Sequence, residues 1–511
     1  MVITPPASSD PIIEAAVHTF IDNYDWDAVA APLTELITPA VVRGIIRRSK
    51  PFKASGEDGI LNFTLKQLSK KGLVMSTYII NACIRLCFFP TPWKQANIIP
   101  LPKPGKRKSD PAAHRPIALL SALLKVLEVV MHSKYWFHTN RLNILPAEQH
   151  GFRPGHGAPG QLVRVLSRVI QRLDWRRPQY TLMISLDPTK AFDTIWHDAL
   201  IYKMYHWGYP PFLLKFTRSY LSNRTMRLHT HEIVSLVHDI TDGVPQGSIV
   251  GPHLYIVFTA DMPMPPEALS AVYADDTLRC ITHRKPTQCR FVAQRVANTT
   301  TNYYDIWRLI VNPQKKQIAA MNASGRLPPQ NVQPIEIKGI PVPCGRTIRY
   351  LGVDLDISLR LHLHIKAVTT KCMNTFYNLS CLVGRKSSLD PAVKLLLFKV
   401  PLRPILVYAA PVWAALISST SWNKLQICQN KIIKAALSAT WSYNTYQAHE
   451  ETNMEYLHDY ILELTQKFYE HVSEWNHEFL LPYITGRRRM PPFFHNPRPP
   501  EEEEKDVDDP A

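Results

Sequence analysis

Two adjacent carboxylates, Asp275 and Asp276, are the residues of this chain with the clearest capacity for chemistry. They follow a short apolar stretch, Ala271 and Val272, that is typical of a strand. Because neighbouring side chains of a strand point to opposite faces, two usable carboxylates side by side require a tight hairpin turn. Clustered carboxylates are hard oxygen ligands that suit Mg²⁺, although an acidic pair alone is more often a solvated turn.

A second carboxylate motif lies upstream of this pair. Residues 183–186 are mostly apolar and predict a buried strand, and Asp187 stands where that strand ends. A helix is predicted over 191–205, with Asp193 near its start, where a carboxylate is favourable. One interpretation is therefore a strand-end turn followed by a helix cap. The other is that Asp187 joins the downstream acidic pair around two Mg²⁺ ions, an arrangement suited to phosphoryl transfer.

Further motifs accompany the carboxylates in a fixed order. They are Lys103–Lys106, His114–Ile117, His150–His156, Leu186–Asp193, Gly243–Ser248 with Gly251 and Pro252, Tyr273–Asp276, Val311–Lys315 and Arg349–Val353. The ordered set resembles the reverse transcriptase of non-LTR retrotransposons, particularly the jockey-like insect type. Each match is weak alone, but the order over about half of the chain argues against chance. The resemblance implies an α+β right-hand polymerase fold with fingers, a palm with an antiparallel sheet and a helical thumb.

The resemblance also implies a role for each carboxylate. Asp187, Asp275 and Asp276 would be the catalytic and metal-binding residues, holding two Mg²⁺ ions, with Mn²⁺ as the alternative metal. Phe192 resembles the aromatic residue that lies under the incoming sugar and leaves no room for a 2′-hydroxyl. A phenylalanine of the core is the competing interpretation. Pro188 departs from the aliphatic residue usual in the family; it keeps its carbonyl but removes one sheet donor.

The remaining candidate residues fall into two groups by resemblance. Further nucleotide-binding residues are Lys190, Ala191, Gln246, Gly247, Arg115, Lys103 and Lys315. The residues expected to contact template or primer are Arg153, Tyr350, Leu351 and Gly352. Gly247 would allow a close approach of the backbone. Arg115 is expected directly before a helix over 117–131, after a basic loop.

Bulk properties agree with a polyanionic partner. The formal charge is +17 over 511 residues, and nucleic acid is the expected partner, with an anionic membrane surface as the alternative. No run of about 18 apolar residues predicts a membrane span, and no secretory signal is recognised. The scattered eight cysteines do not form a disulfide framework. An intracellular protein is expected, and the resemblance places it in nucleus and cytoplasm as a ribonucleoprotein.

The chain is too long for one ordinary core and divides into predicted segments. They are an N-terminal helical extension (1–50), fingers with the start of the reverse transcriptase domain (51–180), palm (181–358), helical thumb (359–480) and disordered tail (481–511). By resemblance, the partners are an RNA template, a DNA primer or target DNA, and dNTPs, with no membrane. Residues 1–50 lack the catalytic set of the endonuclease that family members carry, so a polymerase segment or truncated reading frame is expected.

Three functions remain open from the sequence. The leading one is an RNA-directed DNA polymerase that copies a retrotransposon RNA from a primer 3′-hydroxyl. The second is a catalytically degenerate or co-opted remnant that binds nucleic acid, which Pro188 favours mildly and the intact carboxylates oppose. The third is an RNA-templated RNA polymerase, against which Phe192 argues because such enzymes need room for the 2′-hydroxyl.

Overall fold

The structure is a computed structural model that describes residues 7–103, 107, 109–110, 113–172, 179–230, 234–311, 317–322, 327, 333–440 and 442–474. Its α-helices are α1 (Pro11–Asn23), α2 (Pro39–Arg48), α3 (Asn62–Lys66), α4 (Lys70–Arg85), α5 (Ala122–Arg141), α6 (Ala158–Arg172), α7 (His197–His206), α8 (Pro211–Leu221), α9 (Gly251–Phe258), α10 (Pro286–Ile306), α11 (His362–Asn378), α12 (Ser380–Val383), α13 (Pro391–Leu397), α14 (Arg403–Val407), α15 (Ala410–Trp413), α16 (Ser419–Ala436), α17 (Thr445–Thr452) and α18 (Leu457–Glu474).

The strands are short and fall mainly in the middle of the chain. They are β1 (Gln95–Pro102), β2 (His114–Leu119), β3 (Tyr180–Leu186), β4 (Arg224–Leu228), β5 (His238–Ile240), β6 (Ala268–Tyr273), β7 (Asp276–His283), β8 (Gln317–Met321), β9 (Ile335–Ile337), β10 (Ile340–Val342), β11 (Cys344–Gly345), β12 (Thr347–Tyr350) and β13 (Val353–Asp356). Single turns of 3-10 helix occupy Leu33–Glu35, Thr91–Trp93 and Ala191–Asp193.

The chain forms two compact units whose segments alternate along the sequence. Unit 1 comprises Met1–Phe152, Leu186–Met264 and Ala297–Lys315. Unit 2 comprises Arg153–Ser185, Pro265–Val296 and Lys316–Ala511. The segments predicted as fingers, palm and thumb remain predictions. The tail predicted over 481–511 lies outside the described residues.

Unit 1 is a helical assembly with one small mixed sheet of order β2-β1-β4-β5. β1 pairs antiparallel with β2 and parallel with β4. This pairing corrects the helix predicted over 117–131, because His114–Leu119 is a strand and α5 begins only at Ala122. Pro116 lies in that strand, and long-range pairing with β1 outweighs the local helical spacing of apolar residues. The strand predicted over 96–101 is confirmed as β1.

Unit 2 contains the five-stranded sheet β11-β8-β3-β7-β6. Its central strand β3 is buried along most of its length, as expected of a continuous apolar run with neighbours on both edges. Helix α6 packs its apolar stripe against this core, because Leu162, Val165, Leu166 and Val169 recur at helical spacing and are all buried. The strands predicted over 181–187 and 270–274 are confirmed as β3 and β6.

Helices α11 to α18 complete unit 2, as the sequence pattern predicts for this region, and their buried side chains share one apolar core with α6 and the five-stranded sheet. One stretch of the described residues, Pro391–Trp413, has the length and apolar composition of a membrane span. Its side chains Phe398, Leu402 and Trp413 are buried within unit 2, and 33% of its apolar window is buried. All eight cysteines are free thiols, in agreement with the absence of a disulfide framework from the sequence.

Candidate active site

The acidic pair lies on the tight hairpin that the sequence predicts. β6 and β7 are antiparallel, and Tyr273 pairs with Asp276, so that only Ala274 and Asp275 form the turn. Ala274 has a φ of 57°, the left-handed conformation that two-residue hairpins require at their first position. Both carboxylates are half-buried. The hairpin therefore displays two neighbouring carboxylates at one end of the unit 2 sheet.

The neighbouring strand β3 ends directly before the third candidate carboxylate, Asp187. β3 and β7 are neighbours, and the hydroxyls of Thr181 and Thr282 lie 2.8 Å apart, which joins the start of β3 to the end of β7. The two strands therefore run antiparallel, and the end of β3 lies beside the start of β7. Asp187 is the first residue after β3. Asp187 itself belongs to unit 1.

The donor chemistry of these residues fits a divalent cation, because carboxylate oxygens are the ligands that Mg²⁺ prefers. Among the described residues, however, no group of three His, Cys, Asp or Glu side chains is gathered closely enough to hold a metal ion. The metal set Asp187, Asp275 and Asp276 therefore remains a prediction.

The segment after Asp187 belongs to unit 1 and is shaped by backbone contacts. Pro188 forms an antiparallel bridge with Val311, and the Thr189 amide donates to the carbonyl of Ile310 over 2.6 Å. Pro188 therefore still pairs with Val311 as a strand residue would. Lys190 has a φ of 50° and is exposed, so its side chain faces solvent as a phosphate-binding group would.

The helix predicted over 191–205 begins later than the sequence suggests. Ala191–Asp193 is one turn of 3-10 helix, and α7 starts only at His197. Ala191 is buried and Phe192 is half-buried. The interpretation of Asp193 as a cap of this helix is therefore wrong, because its carboxylate is engaged elsewhere.

Gln246 is the residue that engages Asp193. Its side-chain amide donates to the Asp193 carboxylate over 2.8 Å, and its carbonyl accepts from the amide of Ala118 over 2.7 Å. The next residue, Gly247, has a φ of 123°, and a Cβ there would lie 2.6 Å from the carbonyl oxygen of Ala118. Only glycine fits this approach without displacing backbone. The segment of Gln246 and Gly247 therefore contacts both the Ala191–Asp193 turn and strand β2.

The Asp193 carboxyl lies in a partly dehydrated, positively charged environment. Burial raises its pKa, whereas the Gln246 amide, Lys190 and Lys103 act in the opposite direction. Two residues assigned to the nucleotide from the sequence, Lys190 and Lys103, therefore lie close enough to Asp193 to influence it electrostatically. These residues define one cluster within unit 1.

Phe192 lies among aromatic rings without being enclosed. Its ring stacks on Tyr255 with centroids 4.8 Å apart and meets Phe152 edge-on at 5.9 Å. The Phe192 carbonyl accepts from the amide of Val244, which ties the ring's backbone to the segment before Gln246. Tyr255 supports the ring from α9, so one face is fixed by packing. A ring enclosed by the core would be fully buried, and Phe192 is not.

The basic residues upstream occupy the β1–β2 hairpin. The Lys103 amide donates to the Ala113 carbonyl over 2.7 Å, and Arg115 is exposed on β2 opposite Leu101. The prediction that Arg115 directly precedes a helix is wrong, because the register of β1 with β2 places it within a strand. Lys315, assigned to the nucleotide by resemblance, lies outside the described residues.

The residues assigned to template and primer belong to unit 2. Arg153 is half-buried in the turn before α6, and burial lowers its pKa. β12 and β13 form a hairpin in which Tyr350 pairs with Val353, leaving Leu351 and Gly352 as the turn. Both turn residues have positive φ, 44° and 82°, as a two-residue hairpin of this kind requires.

One supporting residue escapes the motif search. Glu128 is fully buried in α5 and accepts from the amide of Ile249 over 2.9 Å and from the hydroxyl of Tyr220 over 2.8 Å. It thereby holds the segment that follows Gly247, and burial raises its pKa. A single acidic residue within the apolar run of α5 is the sequence signal that could have revealed it.

Residues 101–355 match the family described as "Reverse transcriptase (RNA-dependent DNA polymerase)". The chain therefore belongs to the reverse transcriptases, whose domain has the right-hand polymerase fold. Its relatives identify the branch as that of the non-LTR retrotransposons, so the resemblance drawn from the motifs is confirmed.

These relatives are proteins of insect transposons. "Probable RNA-directed DNA polymerase from transposon BS" of Drosophila melanogaster is 30% identical over 472 residues, covering 91% of this chain and 51% of the relative. The corresponding protein from transposon X-element is also 30% identical, covering 90% and 50%. "RNA-directed DNA polymerase from mobile element jockey" is 28% identical, covering 86% and 48%. The chain thus spans about half the length of these relatives.

Solved structures of telomerases are more distant. Telomerase from Candida albicans, in complex with a TWJ fragment of telomeric RNA, gives a TM-score of 0.40 at 9% identity over 72% of this chain and 68% of that one. Apo telomerase from Candida tropicalis, truncated from the C-terminal domain, gives a TM-score of 0.37 at 12% identity over 52% of this chain and 54% of that one. The fold assignment rests on the family match.

Proposed function

We propose that this chain is an RNA-directed DNA polymerase that adds deoxynucleotides to a primer 3′-hydroxyl on an RNA template. The observation that carries the proposal is the two-residue hairpin of unit 2 that presents Asp275 and Asp276 side by side. This arrangement lies within the segment that matches the reverse transcriptase family. The formal charge of +17 supports a nucleic-acid partner.

The residues that would hold divalent metal are Asp187, Asp275 and Asp276. When bound, the metal supplies charge neutralisation around the reacting phosphate and favours the deprotonated 3′-hydroxyl. The chain's own contribution is to position the carboxylates on a rigid hairpin and strand end, which costs no rearrangement during reaction. Mg²⁺ is the proposed metal.

The incoming dNTP would lie against the cluster within unit 1. Lys190 and Lys103 offer positive charge to its phosphates, and the backbone around Ala191 offers amide donors. Phe192 would lie under the sugar, and Gln246 would contact the nucleotide or the template base. Arg115 remains a proposed phosphate contact because it is exposed on β2.

Template and primer would be bound by residues of unit 2. Arg153 would meet template phosphate, and the turn of Leu351 and Gly352 after Tyr350 would hold the primer end. Lysines along α11 and α16 would contact the duplex, as the helical thumb of the family implies. These contacts are charge-based, so they would set affinity without reading sequence. Intracellular action on RNA and target DNA, in nucleus and cytoplasm, belongs to the same proposal.

A catalytically degenerate, nucleic-acid-binding remnant is the second candidate. The observation in its favour is Pro188, which replaces the usual aliphatic residue beside Asp187. The bridge from Pro188 to Val311 and the hydrogen bond that the Thr189 amide donates to Ile310 argue against a disrupted segment. Both candidates predict duplex binding, but only the first predicts synthesis.

The experiment that tests the proposal is primer extension by the purified chain. An RNA template annealed to a DNA primer, with dNTPs and Mg²⁺, should yield template-length DNA, and EDTA should prevent it. Tight duplex binding without any extension under these conditions would contradict the proposal and favour the remnant. Extension only with ribonucleotides would instead favour an RNA polymerase.

The hydrogen bond from Gln246 to Asp193 gives a more specific expected result. Asp193→Ala removes the acceptor that orients the Gln246 amide, so the KM for dNTP should rise about tenfold, as expected for a bond to a charged group. Asp193→Asn keeps an oxygen acceptor and is the matched control; its KM should stay within about threefold of the wild type. Steady-state kinetics with one RNA template measures both. Equal KM values for the two variants would show that Asp193 does not orient Gln246.

A further inference from the structure

One tyrosine of the C-terminal helical region contacts the turn between β12 and β13. Tyr408 lies between α14 and α15, and its hydroxyl donates to the carbonyl of Leu351 over 2.9 Å. A Cβ on Gly352 would lie 3.0 Å from the Tyr408 ring, so ring and turn are already in close contact. All these residues belong to unit 2.

The backbone of Tyr408 is itself fixed by a buried residue. Its carbonyl accepts from the indole nitrogen of Trp413 over 2.8 Å, and that indole is fully buried. Ala409, the next residue, has a φ of 53°, an uncommon conformation for a residue other than glycine. The Tyr408 side chain nevertheless remains 44% exposed. A residue whose backbone is fixed by a buried neighbour but whose ring is left open to solvent differs from an ordinary core residue.

The same turn is tied on its other side to the carboxylate hairpin. The hydroxyl of Tyr350 donates to the carbonyl of Ala271 over 3.4 Å, and Ala271 belongs to β6, the strand that leads to Asp275. Two tyrosine hydroxyls therefore fix the 350–352 turn. One connects it to the strand of the carboxylates, and the other connects it to the helices.

We infer that Tyr408 is a positioning residue that sets the 350–352 turn, and with it the primer 3′-end, relative to the carboxylates. The inference rests on the proposed function, because that function assigns the turn to the primer. Leu351 has a φ of 44°, so its carbonyl orientation is not the one an unrestrained leucine prefers. The Tyr408 hydroxyl stabilises that orientation. Helices α14 and α15 thus determine the placement of a turn far from them in sequence.

The test is Tyr408→Phe in the full chain, which removes only the hydroxyl. The single-turnover rate of primer extension at saturating dNTP should fall about fivefold, the factor given by loss of a typical hydrogen bond. The Kd for an RNA–DNA duplex should remain within about twofold, because affinity comes from many charges. Tyr446→Phe is the matched control, because Tyr446 is 59% exposed and also donates its hydroxyl, to Glu450. It should leave the rate unchanged.

A second measurement does not depend on catalysis. With 2-aminopurine as the terminal primer base, Tyr408→Phe should change its fluorescence in the bound duplex, whereas a probe well upstream should not respond. Gly352→Ala, which places a Cβ against the Tyr408 ring, should change the same signal. Absence of wild-type extension would overturn the proposed function, while a terminal signal that still responded would support the positioning role. An unchanged rate and signal, or a rate that falls only with Tm, would overturn the role of Tyr408.

Discussion

Asp275→Asn should abolish Mg²⁺-dependent primer extension while leaving duplex binding nearly intact. Asparagine has the shape of aspartate but supplies only one neutral oxygen, so the proposed metal site loses charge at the hairpin turn. We expect the extension rate to fall by about a thousandfold or more, comparable to the largest losses seen when one electrostatic group is removed. Gel-based extension and a filter-binding Kd, measured on the same preparation, separate the two effects.

Duplex binding should depend on salt in the same way for the wild type and for Asp275→Asn. If the duplex behaves like B-DNA, the log–log slope should be about −0.9 per phosphate neutralised, and Asp275→Asn should not alter it. Asp239→Asn is the control, because Asp239 is an exposed aspartate on β5. It should extend primers at the wild-type rate. Near wild-type extension by Asp275→Asn would show that the metal assignment is wrong.

The carboxylate motifs are predictable from sequence because each lies where an apolar run meets a polar turn. An apolar strand followed by two adjacent carboxylates predicts a tight hairpin turn, and the structure confirms it between β6 and β7. The turn of Leu351 and Gly352 is indicated by resemblance, and its glycine tolerates the positive φ that the structure shows there. These features depend on neighbours in the chain. Local sequence therefore suffices for them.

Other features depend on partners that are distant in sequence. The segment 117–131 has apolar residues at helical spacing, yet residues 117–119 are in a strand because β1 pairs with them. Asp193 looks like a helix cap until Gln246, far along the chain, is seen to donate to its carboxylate. Position 247 requires glycine because its backbone lies against Ala118, and no sequence motif predicts that contact. Such contacts form only in the folded chain, and local patterns in a single sequence do not identify which distant residues will meet.

Phe192→Val should admit ribonucleotides while retaining much of the deoxynucleotide activity. The Phe192 ring is half-buried and stacked on Tyr255, so one face is fixed by packing while part of the side chain remains exposed. Removing the ring creates space beside C2′. Because exclusion acts in the transition state, the change should appear as a ratio of kcat/KM values for dNTP and rNTP. We expect that ratio to fall by about a hundredfold, the scale of a steric mismatch of a few kcal/mol.

Loss of stability must be separated from this change in selectivity. Loss of the stacking with Tyr255 should cost about 1 kcal/mol, so a modest fall in Tm accompanies the substitution. A falling fraction of folded enzyme lowers both kcat/KM values together and leaves their ratio unchanged. Phe291→Val, at a phenylalanine that is 62% exposed on α10, controls for truncation of an aromatic ring. Single-nucleotide incorporation of dNTP and rNTP on one RNA template measures the ratio for all three proteins. If Phe192→Val keeps the wild-type ratio, the ring does not border the sugar, and another residue must select the product.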